Sequence, residues 1–293
     1  SRGIELAILD EETYGKIGSI MPFSDLEYPA YYPTLGILNN RYIIIAGETY
    51  DNSTRYDIRG KIYNSELTEI FDLGKINQVP EVNSDIDTAH NLGAKIHIVD
   101  ETKFVISWYR VGADARDSYF KIFTISQNED GSEVITSSDD IKIHAYTLND
   151  QFGAQMHQLD NGNLLFVYGS WEGDGLYGGI YASIFDEDGN SIIYDVKIHQ
   201  DTSDSQFLPQ VIPLSNSNFA ITWLDAPVPM NTRDYSIEYR IFNQNLEPQS
   251  DEIVLVSGIL SPSNITDTSN ISHSFITDDG TSIWLAGQTI YAF

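Results

Sequence analysis

The strongest constraint on this chain is a phrase that repeats along it. Runs of apolar or aromatic residues end at Ala46, Trp108, Tyr168, Trp223 and Ala286, at intervals of about 60 residues. A second apolar or aromatic phrase follows each run, at Tyr63, Phe123, Phe185 and Phe242, while its fifth copy stands at the other end of the chain, at Leu9. A unit repeated at this spacing cannot bury its apolar face alone and must stack on its neighbours.

The copy at 151–198 defines the unit. Gln151 to Leu159 reads as a strand, and Asp160-Asn161-Gly162-Asn163 as a tight hairpin turn, because Asn and Gly tolerate positive φ. Leu164 to Tyr168 is a second strand, apolar on both faces. Gly179 to Phe185 is a third, and Ile192 to Ile198, after the turn Asp186 to Asn190, is a fourth. Four short antiparallel strands in this order make one blade of a β-propeller. The expected fold class is therefore all-β, a five-bladed propeller with four antiparallel strands per blade. It forms one domain over 1–293, with blades at about 33–73, 92–144, 151–199, 206–256, and 272–293 plus 1–20. Gly3 to Leu9 matches Gly179 to Phe185 in spacing, so the amino-terminal strands are expected to close the last blade. A β-sandwich pair would not give five similar periods, and a β-solenoid would have shorter ones.

The copy at Gln206 to Phe242 reads Gln-Phe-x-Pro-x-Val, an Asn/Ser turn, Phe-x-Ile-Thr-Trp, then Ile-x-Tyr-Arg-Ile-Phe. The copy before it has Leu-Asp-Asn-Gly-Asn and Ile-Phe-Asp-Glu-Asp-Gly-Asn. In these residues the chain resembles the propeller-type repeats of large secreted bacterial haemolysin-type and adhesin proteins, sharply only within 151–245. That resemblance implies an extracellular or cell-surface scaffold or binding role, with no catalytic residues to carry over.

The formal charge is -27, from 43 acidic and 16 basic residues. Such a surface repels nucleic-acid backbones and anionic lipid, and attracts cations. No apolar run is long enough to span a bilayer. With no cysteine, disulfides, thiolate metal sites and cysteine nucleophiles are excluded.

Five-bladed propellers also serve glycoside hydrolases, which need converging carboxylates. Glu48, Asp51, Asp57, Asp117, Glu172, Asp174, Asp225 and Asp234 all fall in or near loops between second and third strands. Most read as repeated positions, with Arg55-Tyr56-Asp57, Arg116-Asp117 and Arg233-Asp234 as one loop-anchoring feature. His97 and His157 occupy equivalent first-strand positions, and His144 and His199 both follow Lys-Ile. Gln155, Gln210, Lys95, Thr34 and His273 align as a polar set on the innermost strands. Asp186 to Asn190 and Asn128 to Gly131 have the oxygen-rich look of calcium loops, but the twelfth position from Asp186 is Lys197 rather than the glutamate of an EF-hand. No cofactor is expected, calcium being the one ion such turns could take.

Trp108 and Trp223 follow the repeat and read as core. Trp171, in a Gly-rich loop, does not. With Tyr109, Tyr177 and Tyr50, and with Gln155 and Gln210, it forms the expected ligand-binding set, since an apolar ring body with a polar tip suits sugars. Three glycosylation sequons stand at Asn52, Asn264 and Asn270. The sequence thus favours a non-enzymatic propeller presenting loops to a glycan or surface protein. A propeller glycoside hydrolase and a self-assembling structural subunit are the alternatives. The hydrolase alternative requires two carboxylates unmatched in other repeats, with perturbed pKa values.

Overall fold

The computed structural model describes residues 4–24, 26, 30–51, 55–78, 90–112, 115–146, 148–171, 178–214, 216–226, 235–259, 274–276, 282–286 and 289–292. Tyr177, Glu172, Asp174, Arg233, Asp234, His273 and the sequons at Asn52, Asn264 and Asn270 lie outside them, as does the side chain of Asp51. The described residues are all-β and antiparallel, and they fall into two compact units, Ser1–Lys142 and Ile143–Phe293.

In the first unit, β1 (Leu6–Leu9) pairs with β2 (Lys16–Ile20). β3 (Ala30–Leu38), β4 (Tyr42–Asp51), β5 (Arg55–Asn64) and β6 (Glu69–Lys75) make a four-stranded sheet in chain order. β7 (His90–Ile98), β8 (Lys103–Val111), β9 (Arg116–Gln127) and β10 (Glu133–Ser137) make the next sheet. β11 (Ile141–Lys142) also pairs with β9 there, so the expected single fourth strand is two short pieces. The second unit repeats the pattern with β12 (Gln151–Gln158), β13 (Leu164–Trp171), β14 (Gly178–Phe185) and β15 (Ser191–Lys197). It does so again with β16 (Ser205–Pro213), β17 (Phe219–Ala226), β18 (Tyr235–Phe242) and β19 (Ile253–Ile259). A last sheet holds β20 (Ser274–Ile276), β21 (Ser282–Ala286) and β22 (Thr289–Ala292).

That last sheet corrects the expected closure. β21 carries β20 on one edge and β22 on the other, so the carboxyl-terminal segment supplies its own third strand where Gly3 to Leu9 was expected. Among the described residues β1 pairs only with β2. The spacing match of the amino-terminal segment reflects a strand of similar length and apolarity, and strand pairing depends on which edge is free.

The first strands of the four full sheets carry the same irregularity. Their register slips between Tyr31 and Thr34, Leu92 and Lys95, Phe152 and Gln155, and Phe207 and Gln210. A left-handed residue sits in each slip: Tyr32, Gly93, Gly153 and Leu208, at φ of 47°, 67°, 70° and 57°. These β-bulges fix the alignment of the copies. Thr34, Lys95, Gln155 and Gln210 follow them and face Ala46, Ser107, Val167 and Thr222. The partner of Trp108, Tyr168 and Trp223 in the first sheet is therefore Gly47, one residue beyond Ala46. A Cβ there would stand 2.7 Å from Ile4 Cδ1, because Ile4 and Phe23 fill the place of the indole.

Neighbouring sheets pack face to face. Ile44, Ala46, Ile58 and Ile62 of the first bury against Phe104, Ile106, Trp108 and Phe123 of the second. Leu165, Val167, Ile180 and Ile184 bury against Phe219, Ile221, Trp223 and Phe242. Burial on both faces explains why the second strands are apolar throughout rather than alternating. Trp108 and Trp223, 2% and 1% exposed, are core as expected.

Polar contacts tie each sheet to the segment that leaves the one before. Asp140 accepts the Gln78 N–H at 2.6 Å, Asp195 accepts those of Ala145 and Tyr146 at 3.1 and 2.8 Å, and Glu252 accepts that of Gln200. Lys121 donates to the Ile76 carbonyl at 2.8 Å and Arg240 to that of Ile198 at 3.1 Å.

Substitutions at these contacts and at the bulges have expected costs. Asp140→Ala leaves the Lys121 ammonium, whose side chain is 2% exposed and pairs with Asp140 at 2.9 Å, without its counter-charge. The expected loss is about 3–5 kcal/mol in chemical denaturation; a loss under about 1 kcal/mol would contradict it. Gly153→Ala is expected to cost about 1–2 kcal/mol for the left-handed backbone alone. Gly93→Ala is expected to cost more in the same assay, since its Cβ would meet the Tyr109 ring at 2.5 Å.

Candidate functional site

Aligning the copies on their bulges separates repeated acids from unrepeated ones. Asp57 and Asp117 hold equivalent third-strand positions and pair with Lys75 at 3.0 Å and Lys142 at 2.8 Å. Asp57 also accepts from the Asn77 side chain at 2.9 Å, and Asn77 in turn accepts the Ile58 N–H at 2.8 Å. Each thus has an ion-pair anchor in a lysine of its own sheet; the Arg55 side chain lies outside the described residues.

Asp225 departs from the expected repetition. Its equivalents, read from strand register, are Thr49, Arg110 and Ser170. Glu238 stands where the other copies have Arg59, Tyr119 and Tyr181. Both carboxylates lie on one face of the fourth full sheet. Asp225 faces Ser236 across the strands and Glu238 faces Trp223, which makes the acids diagonal neighbours, with Cα atoms about 7–8 Å apart.

Each acid is 8% exposed. The Gln206 side chain donates to Asp225 at 2.7 Å, and the Ser236 hydroxyl donates to Glu238 at 2.9 Å. Burial, reinforced by the charges of Asp204, Asp201 and Glu252, pushes Asp225 up to about 6 against the Gln206 hydrogen bond. Burial, with Asp225 and Glu252 nearby, pushes Glu238 up to about 7. Gln206 Oε1 and Trp223 Nε1, on residues each 1% exposed, have no hydrogen-bond partner among the described residues. The face therefore offers two carboxyl groups raised by burial, with Glu252 hydrogen-bonded to Glu238, beside an unfilled acceptor and an unfilled donor. Around neutrality one acid can hold a proton while its neighbour is ionised, the division general acid–base chemistry requires.

Sequence reasoning passed over Glu238 altogether. The signal was a glutamate inside the third-strand run Tyr-Ser-Ile-Glu-Tyr-Arg-Ile-Phe, at a position that is aromatic in two other copies.

The expected ligand set is divided. Tyr50, on β4, and Tyr109, on β8, are half-buried, and the charge of Glu48 acts on Tyr109 and on Tyr56, whose ring is tilted against that of Tyr50. Trp171 is not in a loop: it ends β13, pairs with Gly178, and its main-chain N–H donates to the Asp150 carbonyl at 2.7 Å. The residue is 39% exposed. Gln155 and Gln210 hold equivalent half-buried inner-strand positions beside the bulges. Burial lowers His97, with help from the Lys95 charge, to about 3. It also lowers His157, against the pull of Asp160, so burial disfavours the charged form of both rings. Among the described residues no group of three His, Asp or Glu is placed to hold a metal ion. In the Asp186 turn the carboxylate accepts from the Asp188 and Asn190 N–H groups and the Asn190 side chain, as a hairpin turn does without an ion.

No family model and no curated protein matches the chain. Solved structures match in fold. The α-L-arabinanase of Penicillium chrysogenum, solved with arabinobiose, is 12% identical over 91% of this chain and 79% of its own, with a TM-score of 0.55. The GH93 α-L-arabinofuranosidase of Fusarium graminearum, also with arabinobiose, is 11% identical over 90% and 77%, with a TM-score of 0.53. A protein of unknown function from Dyadobacter fermentans is 10% identical over 99% and 82%, with a TM-score of 0.54.

These neighbours correct three expectations. The likeness is to propeller glycoside hydrolases rather than to haemolysin-type or adhesin repeats. The motifs behind that resemblance, Leu-Asp-Asn-Gly and Phe-Asp-Glu-Asp-Gly, are hairpin chemistry that any such sheet needs, with Gly162 and Gly189 at positive φ. The expected non-catalytic binding role and the expectation that the chain is no enzyme are corrected with it, since two of these three fold neighbours are glycan-cleaving enzymes.

The raised acids give a signed pH dependence. The folded state binds their protons more tightly than the unfolded chain, so their contribution favours folding at low pH and is lost as pH rises through about 6 and about 7. The thermal midpoint of the unaltered chain is expected to rise more steeply from pH 8 to pH 5 than that of an Asp225→Asn/Glu238→Gln variant. Parallel curves would show that the pair is not titrating there.

Proposed function

We propose that the chain is a glycoside hydrolase of propeller architecture, with Asp225 and Glu238 as its carboxylate pair. The observation that carries this reading is the adjacency of two buried acids that break the repeat, one raised to about 6 and the other to about 7. Glu238 holds its proton further into the neutral range and is the donor to the glycosidic oxygen. Asp225, ionised first, faces the positive charge that develops on the sugar ring. Ser236 and Gln206 orient the two carboxylates through the hydrogen bonds described above.

The substrate class is a neutral glycan, because a chain of charge -27 repels acidic polysaccharides. The fold neighbours solved with arabinobiose support arabinofuranosyl linkages as the first to test. In the finer architecture of this reading the repeated sheets are blades of one five-bladed propeller, and the enzyme works outside the cell. No helix among the described residues is long and apolar enough to cross a membrane.

Release of reducing sugar from debranched arabinan and from a panel of neutral oligosaccharides tests the reading. Activity is expected to peak between about pH 6 and about pH 7. Asp225→Asn and Glu238→Gln should each reduce kcat by about 10²–10⁴-fold. Hydrolysis that survives both substitutions, or none by the unaltered chain on any glycan of the panel, overturns the proposal.

A further inference from the structure

A second group of polar atoms lies in the first unit. Glu48 is 4% exposed, and among the described residues its carboxylate accepts from the Gly93 N–H at 2.7 Å. A carboxylate can accept about four hydrogen bonds. The bulge at Gly93 creates this contact, since the left-handed residue turns its N–H out of the strand ladder and toward Glu48. Asn91, 5% exposed, donates its side-chain N–H to the Tyr56 carbonyl at 3.4 Å, while its Oδ1 is buried with no partner among the described residues. His90 Nδ1 is likewise buried without a partner among them, and its ring lies 5.5 Å from that of Tyr56.

Tyrosines lie beside these groups. The Tyr50 and Tyr56 rings are 4.0 Å apart with their hydroxyls hydrogen-bonded to each other, and Tyr31 meets Tyr50 edge-on at 6.2 Å. The Tyr109 ring lies against Gly93. Three under-used buried polar groups beside aromatic rings, Glu48 and Asn91 Oδ1 among them as acceptors, are costly unless a hydroxyl-rich ligand or water fills them. The ligand that supplies several hydroxyl donors together with an apolar ring face is a carbohydrate.

We propose that Glu48, Asn91 and His90, with Tyr50, Tyr56 and Tyr109, form a binding site for one neutral sugar ring. The sugar hydroxyls donate to Glu48 and Asn91 Oδ1, and a ring face rests on the tyrosines. Burial raises the pKa of Glu48, against the Gly93 hydrogen bond. The Tyr50 and Tyr56 tips meet each other rather than arranging their faces as a cage for an ammonium group. This site does not depend on the hydrolase reading, since binding here needs no bond cleavage.

The test uses the full chain carrying Asp225→Asn and Glu238→Gln, so that any sugar stays intact, with hydrolysis by the unaltered chain measured separately. Calorimetric titration with arabinobiose, cellobiose and tetramethylammonium is expected to show binding of at least one disaccharide and none of the cation. Adding Glu48→Gln or Tyr109→Ala should weaken sugar binding at least about tenfold, by loss of one charged-group hydrogen bond or one stacking face. Should Glu48→Gln fail to fold, Tyr50→Ala, at a half-buried strand end, is read in its place. The proposal is overturned if neither disaccharide binds, if the ammonium ion competes with the sugar, or if the variants that fold bind as well as their background.

Discussion

The fold depends on a carboxylate that reaches back. Asp140, Asp195 and Glu252 each accept main-chain N–H groups from the segment that has just left the preceding fourth strand. Those N–H groups belong to residues that have ended one ladder and not begun the next, so they need an acceptor from outside. The fourth strands end in Lys75-Ile76-Asn77, Lys142-Ile143-His144 and Lys197-Ile198-His199, and the residue after each triplet is the one captured. Lys121 and Arg240 add cationic grips on the carbonyls of Ile76 and Ile198. Within each unit the apolar faces of neighbouring sheets pack together beside these contacts.

Against that regular frame, exceptions carry the chemistry. Acids that recur are neutralised by partners that also recur, as Asp57 is by Lys75 and Asp117 by Lys142. Asp225, Glu238 and Glu48 have no such cations among the described residues, and burial moves all three toward the protonated form. A protein tolerates uncompensated buried acids at a cost to stability, and sites that handle protons or ligands are where that cost is found.

Much of the frame was legible in the residues. Tyr235–Phe242 and Ser282–Ala286 have the bounds their apolar patterns define, and the turns at Gly162 and Gly189 fall where the turn residues stand. Other strands run longer at one end, as β4 does from Ala46 to Asp51, because pairing continues into polar residues after the apolar signal stops. The bulges were hidden, since a left-handed residue can be Tyr32 or Leu208 as well as glycine, and a slip of one residue misaligned Ala46 with Trp108. That slip also concealed the site. With the copies one step out of phase, Asp225 looked like one more repeated loop acid. Glu238 sat unremarked in an aromatic strand.

Gly47 has a further meaning for the amino end of the molecule. Where the next three sheets carry a tryptophan or tyrosine ring, this one borrows Ile4 and Phe23 from the segment that precedes β3. The borrowed side chains make that segment a plug rather than an ornament. Proteolytic trimming past Leu6 would remove Ile4, one of the two side chains over Gly47, and open a gap beside Phe23 on the face where Ile45 and Tyr63 now stay dry.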